Sequence, residues 1–365
     1  MLDLVDLLLD GTPSQNEKFV FDQDERFFIT GGAGSLGSEL VFGLLTRGVK
    51  HIYVFDNSSS RIAVLKKSIN DDHQFGTSNV RFVLGDIRSN GDIGDAITET
   101  NPHVVFHFAA QKHVELAEKD PDDAFDVTVK GTLNVLSASI GARHFAMMST
   151  DKAVFPHGIM GSTKRFAELL VMSAAKANRD SVYSIIRSGN VIGSSGSALD
   201  KFVTQIRDSG AITITHPEMK RFFIGKRELI SLVLSVVLGL EAKPGSTTTY
   251  IIDCGSLVSV VGVAESIARA LGKKLVEGRP KKNEISLKYI GIRHGEKLEE
   301  EMHHSPALAD TDISKVKIAL DDDLDAILQD LTHEFRFLCD HSKQYIDDCF
   351  DRFSRLIPIE YDVRD

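Results

Sequence analysis

Along this chain the spacing of apolar residues switches repeatedly between the period of a strand and the period of a helix. Arg26–Thr30 (ArgPhePheIleThr) is a β-type run, residues 38–47 are apolar at helical spacing, and 51–55 (HisIleTyrValPhe) is a second strand-like run closing on Asp56. The alternation continues with strands predicted at 81–84, 104–108, 144–148 and 181–187, and helices at 93–99, 124–140 and 160–177. Strands joined through helices pair in parallel, because a parallel pair needs a crossover that packs back onto the sheet. The predicted fold class is α/β, a doubly wound parallel sheet with helices on both faces.

After residue 190 the rhythm loosens into Gly/Ser-rich loops. A helix is expected near 201–208, strands at 212–215, 249–253 and 285–290, and an amphipathic helix at 258–271. These shifts suggest a leader helix over 1–25, a nucleotide-binding domain over 26–190, a smaller, mainly substrate-binding α/β domain over 191–320, and a charged helical tail over 321–365.

Composition narrows the class of partner. Hydrophobic residues make up 42% and charged residues 26%, as in ordinary globular proteins. A net charge of -10 argues against a general nucleic-acid or anionic-membrane surface and leaves room for a local basic pocket that takes a small phosphate ligand. Cys254, Cys339 and Cys349 have neither metal-ligand spacing nor an even count, which fits a reducing cytoplasm and no metal site. The N-terminus is acidic and lacks the basic region of a signal peptide. The longest apolar run, 229–240, is too short for the roughly 20 residues of a membrane span.

The glycine turn changes the picture most. GlyGlyAlaGlySerLeuGly (residues 31–37) follows a predicted strand, opens a predicted helix, and has an acid, Asp56, nineteen residues past its last glycine. Glycines at Gly31, Gly34 and Gly37 let backbone amides approach a pyrophosphate, and the helix N-terminus supplies partial positive charge. This is a Rossmann-type arrangement. Asp56 suits the adenosine ribose hydroxyls of NAD; Arg61 is equally consistent with a solvated helix residue or a partner for a 2'-phosphate, so NADP stays open.

Six strings, in order, carry a family resemblance: GlyGlyAlaGlySerLeuGlySerGluLeu from Gly31, GlyAspIleArg from Gly85, ValPheHisPheAlaAlaGlnLysHisVal from Val105, SerThrAspLysAlaVal from Ser149, ArgSerGlyAsnValIleGlySerSerGlySer from Arg187 and GlyIleArgHisGlyGluLysLeu from Gly291. Over about residues 26–302 the chain resembles extended short-chain dehydrogenase/reductases, and among them the polysaccharide-biosynthesis group of UDP-N-acetylglucosamine 4,6-dehydratases. The resemblance implies a UDP-N-acetylhexosamine substrate and a homo-oligomer. Many members also carry membrane helices and an extra domain, so this chain is expected to be the free-standing form. The implied cofactor contacts are Gly31, Gly34, Ser35, Leu36, Gly37, Asp56, Asn57, Ser58, Arg61, Asp86, Ile87, Ala109, Ala110, Lys112 and Lys164. The implied substrate contacts are His113, Arg165, Asn190, Arg221, Arg293 and Glu296, although His113 is equally consistent with a structural histidine. Departures from the group's common pattern are Thr128 in place of Asn, Ser188 within ArgSerGlyAsn, and His294 within ArgHisGlyGluLys.

The implied reaction oxidises C4, removes the C5 proton, expels the C6 hydroxyl as water and returns hydride to C6. Asp151 is then the acid for C6 and Lys152 the base for C5; burial favours these protonation states and a close ion pair opposes them, so their geometry decides. Thr150 is expected at the sugar O4 and Lys164 at the nicotinamide ribose. Met160 stands where the family usually has the tyrosine that takes the C4 hydroxyl proton, and a thioether has no proton to exchange. The proton is then rerouted through Thr150, water or a neutral lysine. The alternatives are a UDP-sugar 4-epimerase, or an inactive NAD- and nucleotide-sugar-binding regulatory protein.

Overall fold

A computed structural model describes residues 22, 24–75, 80–194, 196–304 and 307–320. The expected leader helix, apart from its last residues, and the expected helical tail with Cys339 and Cys349 lie outside the described residues.

The predicted alternation is present. Strands β1 (Arg26–Thr30), β2 (His51–Asp56), β3 (Val80–Leu84), β4 (Val104–His107), β5 (His144–Thr150) and β6 (Val182–Ser188) are all parallel, and their order across the sheet is β6, β5, β4, β1, β2, β3. Helices α1 (Ser35–Thr46), α2 (Ser59–Asp71) and α3 (Asn90–Thr100) follow the first three strands. Alternation along β1 shows why both faces are covered. Phe27 and Ile29 enter one core with Leu40, Leu44 and Leu234, whereas Phe28 enters the other with Ile93, Phe145 and Leu169.

Where one helix was predicted over 124–140, the chain forms α4 (Val114–Lys119), α5 (Pro121–Phe125), a π-helical turn (Asp126–Lys130) and α6 (Gly131–Ala138). Pro121 starts α5, with the Asp120 carboxylate accepting from the Asp123 amide. The π-turn carries Thr128, whose hydroxyl accepts from the Gln111 amide at 3.1 Å. Such turns are rare and mark functional positions. This one ties the helix to the loop after β4. Next, α7 (Ile159–Ala177) is buried on almost every side from Met160 to Met172.

Residues 191–320 are not one contiguous unit. Helices Ala198–Ser209 and Val260–Ala270 pack on a three-stranded parallel sheet (Lys274–Glu277, Glu284–Tyr289, Ala211–Ile214) around Phe202, Ile212 and Ile285. Between them the chain returns to the large sheet: Lys226–Gly239 buries its apolar face against α1, and Thr247–Ile252 pairs in parallel with β6. Val316–Ala319 and Leu308–Asp310 then add antiparallel edge strands, making nine.

Candidate active site

All six strands point their C-terminal ends at one edge, and the predicted motifs collect there. Gly31 has φ 64°, and a Cβ on it would lie 2.8 Å from the Ala109 amide nitrogen. A Cβ on Gly37 would strike the Gly31 carbonyl oxygen, so glycine lets α1 start directly against the turn. The cap of α1 is Gly34, with no side-chain cap and no acid in the first turn. By contrast, Ser58 and Ser89 cap α2 and α3. The amides of Ser35, Leu36 and Gly37 are therefore left for an external anion.

Asp56 ends β2 almost fully buried and accepts from the Ala33 amide (3.1 Å), the Ser58 amide (3.0 Å) and the Arg61 guanidinium (3.0 Å). Arg61 also donates to Asn57 Oδ1 at 3.1 Å, so it is neither simply solvated nor a free phosphate clamp. Asn57 bonds in turn to Asp86, whose carboxyl is held below the ordinary carboxylate value chiefly by Arg88. Ile87 packs its side chain under Gly131, and its carbonyl accepts from Asn134. Ala109, in the loop after β4, borders the turn, and Ala110 follows it in that loop. An uncapped helix end for a pyrophosphate and a buried acid for a ribose fit a dinucleotide.

Gly193 and Gly196 approach this cleft. Ser35 Oγ lies 3.5 Å from the Gly193 carbonyl, and the His113 ring abuts Gly196. Burial lowers the pKa of Lys112 and also that of His113, where Lys112 and Lys201 add to the effect.

Beside the cleft, β5 runs into a 3-10 turn, Asp151–Ala153. Asp151 is fully buried; its Oδ1 accepts from Thr150 Oγ1 and Lys152 Nζ, each at 2.9 Å, while Oδ2 has no hydrogen-bond partner among the described residues. Lys152 Nζ also donates to Asn190 Oδ1 at 3.1 Å and lies 3.5 Å from Glu300 Oε1. Burial works to lower the Lys152 pKa, but Asp151 and Glu300 together raise it above the ordinary value. The carboxylates thus outweigh burial at Lys152.

Met160 and Lys164 sit on the first turns of α7. Met160 packs on Ala117 and Ala124 and borders a cavity shared with Lys152, His157, Gly161, Lys297 and Glu300. Lys164 is buried, and burial brings its ammonium down to about 8 despite Glu168. It faces His107, which burial and the Lys164 charge push down to about 3 and which bridges Thr30 and Thr132.

Other residues expected to contact the substrate are engaged within the protein. Arg165 is turned away from the cavity into a buried network, with Glu168 accepting from Arg165, Arg187 and Ser149. Arg293 pairs with Glu115, and Glu296 accepts the Arg293 amide and closes a turn. Arg221 donates to the carbonyls of Lys220 and Leu298 and lies 3.6 Å from Glu300.

The sequence reading missed three acids. Glu118 accepts from the Ile159 amide at the start of α7 and from His294. Glu168 and Glu300 are 0% and 4% exposed. Glu300 sits in the run Glu299–Glu301, which has the look of a solvated surface; its nearness to GlyGluLysLeu was the available signal.

Fold and site define the class: a Rossmann-type α/β protein with a glycine turn built for a dinucleotide. The chain belongs to the polysaccharide biosynthesis protein family, which it matches over residues 27–320. It is 32% identical over 322 residues to the capsular polysaccharide biosynthesis protein CapD of Staphylococcus aureus, covering 86% of this chain and 51% of that one; it thus spans about half the length of that relative. It is 34% identical over 297 residues to a UDP-glucose 4-epimerase of Rickettsia rickettsii, covering 79% of this chain and 80% of the other. Among solved structures, Pen from Bacillus thuringiensis superposes with a TM-score of 0.72 at 29% identity, covering 82% of this chain and 87% of Pen. The UDP-glucose 4-epimerase of Thermus thermophilus, solved with NAD, shares the fold at 21% identity and a TM-score of 0.62 over 75% of this chain and 89% of that one. Among the described residues no helix is long and apolar enough to cross a membrane.

Proposed function

We propose that this chain is an NAD-dependent nucleotide-sugar 4,6-dehydratase acting in the cytoplasm on UDP-N-acetylglucosamine or a close UDP-hexosamine, in the making of a surface polysaccharide. The observation that carries the reading is the buried Asp151–Lys152 pair at the end of β5, beside a cavity bordered by Met160. Dehydration needs an acid and a base on one edge of the sugar, and this turn supplies both.

Bound NAD supplies a reversible two-electron oxidation of the sugar at C4. The protein moves the protons. With a thioether at 160, the C4 hydroxyl proton passes to Thr150 Oγ1, which is already bonded to Asp151 Oδ1 at 2.9 Å. Asp151 gains on Oδ1 the proton it needs and delivers it from that oxygen to the departing C6 hydroxyl, forming water. Lys152, aimed by Asn190, takes the C5 proton, made acidic by the C4 ketone. Lys164 would hold positive charge at the nicotinamide ribose, and Arg221 and Arg293 would receive the UDP group.

A second reading, a UDP-sugar 4-epimerase, is favoured by the Rickettsia relative. Epimerisation returns hydride to C4 and has no use for an acid–base pair at C5 and C6. Incubation with UDP-N-acetylglucosamine and NAD, followed by proton NMR, tests both. A C6 methyl doublet is expected; a C4 epimer, or unchanged sugar despite binding, refutes the dehydratase.

A further inference from the structure

We propose that Glu300 is the proton partner of Lys152: it takes up the ammonium proton, so that Lys152 meets the sugar as a neutral amine. The inference deepens the dehydratase reading and rests on Lys152 being its base. An ammonium held by two carboxylates is no base, so something at the site has to accept its proton before C5 can give one up.

Geometry singles out Glu300. It is 4% exposed; Oε1 lies 3.5 Å from Lys152 Nζ and 3.6 Å from Arg221 Nε, and Oε2 has no hydrogen-bond partner among the described residues. It borders the same cavity as Lys152 and Met160. A buried carboxylate with so few donors is poorly stabilised as an anion. Burial raises its pKa, Lys152 opposes this, Asp151 adds to it, and Arg221 and Lys297 oppose it; the net direction is upward. Asp151, the other carboxylate at Lys152, already accepts two hydrogen bonds on Oδ1 and on the proposed route takes its proton from the C4 hydroxyl. His157 is the remaining titratable neighbour on the cavity wall.

The step balances. A Lys152 Nζ–H bond breaks and a Glu300 Oε1–H bond forms, leaving a neutral amine and a neutral acid. The amine then takes the C5 proton, whose electron pair stays in the enolate of the C4 ketone. Returning the proton to C5 and the Glu300 proton to Lys152 closes the cycle. Glu300 acts through Lys152 and is a positioning residue for that proton.

The test isolates this step from hydride transfer: exchange of the C5 proton of the 4-keto-6-deoxy product in D2O, from pH 6 to 10. The wild type should exchange at a level rate through neutral pH, because the transfer is internal. Glu300→Gln should fall about 100-fold at pH 7 and climb about tenfold per pH unit, since Lys152 then loses its proton only to solvent. Glu300→Asp should recover part of the rate. If the Gln variant does not fold, the Asp variant must show the same upward slope at smaller depth. A loss equal at every pH marks a purely structural role and overturns the proposal. So does a Gln variant as fast as wild type at pH 7, which would mean that Glu300 only keeps the amine charged. A wild type that makes no keto sugar is a different result: it removes the dehydratase reading and this proposal with it.

Discussion

Glu168→Gln probes the junction that carries the active-site turn. Glu168 is fully buried on α7, and its carboxylate accepts from Arg187 Nε (2.8 Å) and NH2 (2.7 Å), Arg165 NH1 (2.9 Å) and Ser149 Oγ (2.6 Å). Ser149 and Arg187 are register partners on β5 and β6, two residues before Asp151 in one case, so one side chain clamps helix to sheet at the catalytic turn. An amide of the same shape turns one acceptor into a donor facing donors and leaves two buried guanidiniums without their shared counter-charge. Breaking a buried pair in this way costs about 3–5 kcal/mol. The titration gives a similar figure by another route. Burial works to raise the Glu168 pKa, but Arg187, Arg165 and Ser149 hold it at about 2 against an ordinary 4.5. That gap is worth about 3 kcal/mol. Because the folded value is the depressed one, the stabilisation is complete above pH 4.5 and drains away as pH falls towards 2. By pH 3 about half of the wild-type advantage should be gone. Urea unfolding followed by far-UV circular dichroism at pH 7 and pH 3 measures it. A difference below about 1 kcal/mol at pH 7, or one that is the same at both pH values, would refute the clamp.

Three further outcomes come from the same geometry. Lys152→Ala should abolish turnover while calorimetric titration, suited to a chain without tryptophan, still detects NAD; retained turnover would remove Lys152 from the chemistry. In Gly161→Ala the new Cβ would collide with the Lys152 carbonyl oxygen and lie 3.2 Å from Pro156 Cβ. The turn must shift by about half an ångström or more, so kcat should fall by about 100-fold with stability lowered by about 1–3 kcal/mol; an unchanged kcat would show that α7 and the turn are not rigidly coupled. Lys164, brought to about 8 by burial, should lose its charge as pH rises through 8. NAD affinity should weaken over that range in the wild type and stay flat in Lys164→Met. Free-protein stability should rise by up to about 3 kcal/mol between pH 8 and 10.5, where the unfolded chain binds the extra proton.

The nucleotide-binding half was legible because its signals are local. Strand, glycine turn, helix and acid occur within Arg26–Asp56, and alternation along β1 already sorts Phe27 from Phe28 onto opposite faces. The chain beyond residue 190 depends on partners distant in sequence. Nothing near Leu229 reveals that α1 is its neighbour, and nothing in Thr247–Ile252 reveals that β6 is. The break at 126–130 was illegible for another reason: a π-turn adds one residue without changing the apolar pattern on either side, so periodicity alone reads straight through it.

The site divides along the same line. Thr150, Asp151 and Lys152 are neighbours in sequence, and the string that holds them announced them. The groups that set their protonation are not neighbours: Asn190 opens a short strand just after β6, and Arg221 and Glu300 come from segments dozens of residues further on. Sequence reading therefore picked out the groups proposed to exchange protons with the sugar and left open how a lysine pressed against an acid becomes a base. On the proposed reading, Met160 and Glu300 answer parts of one problem. A thioether cannot take the C4 proton, so that proton runs through Thr150 to Asp151; Asp151 is then committed to the leaving hydroxyl, and Lys152 needs a different acceptor. The cavity that Met160 borders contains one carboxylate with an oxygen lacking a partner and within reach of Lys152 from its other oxygen, and it is Glu300.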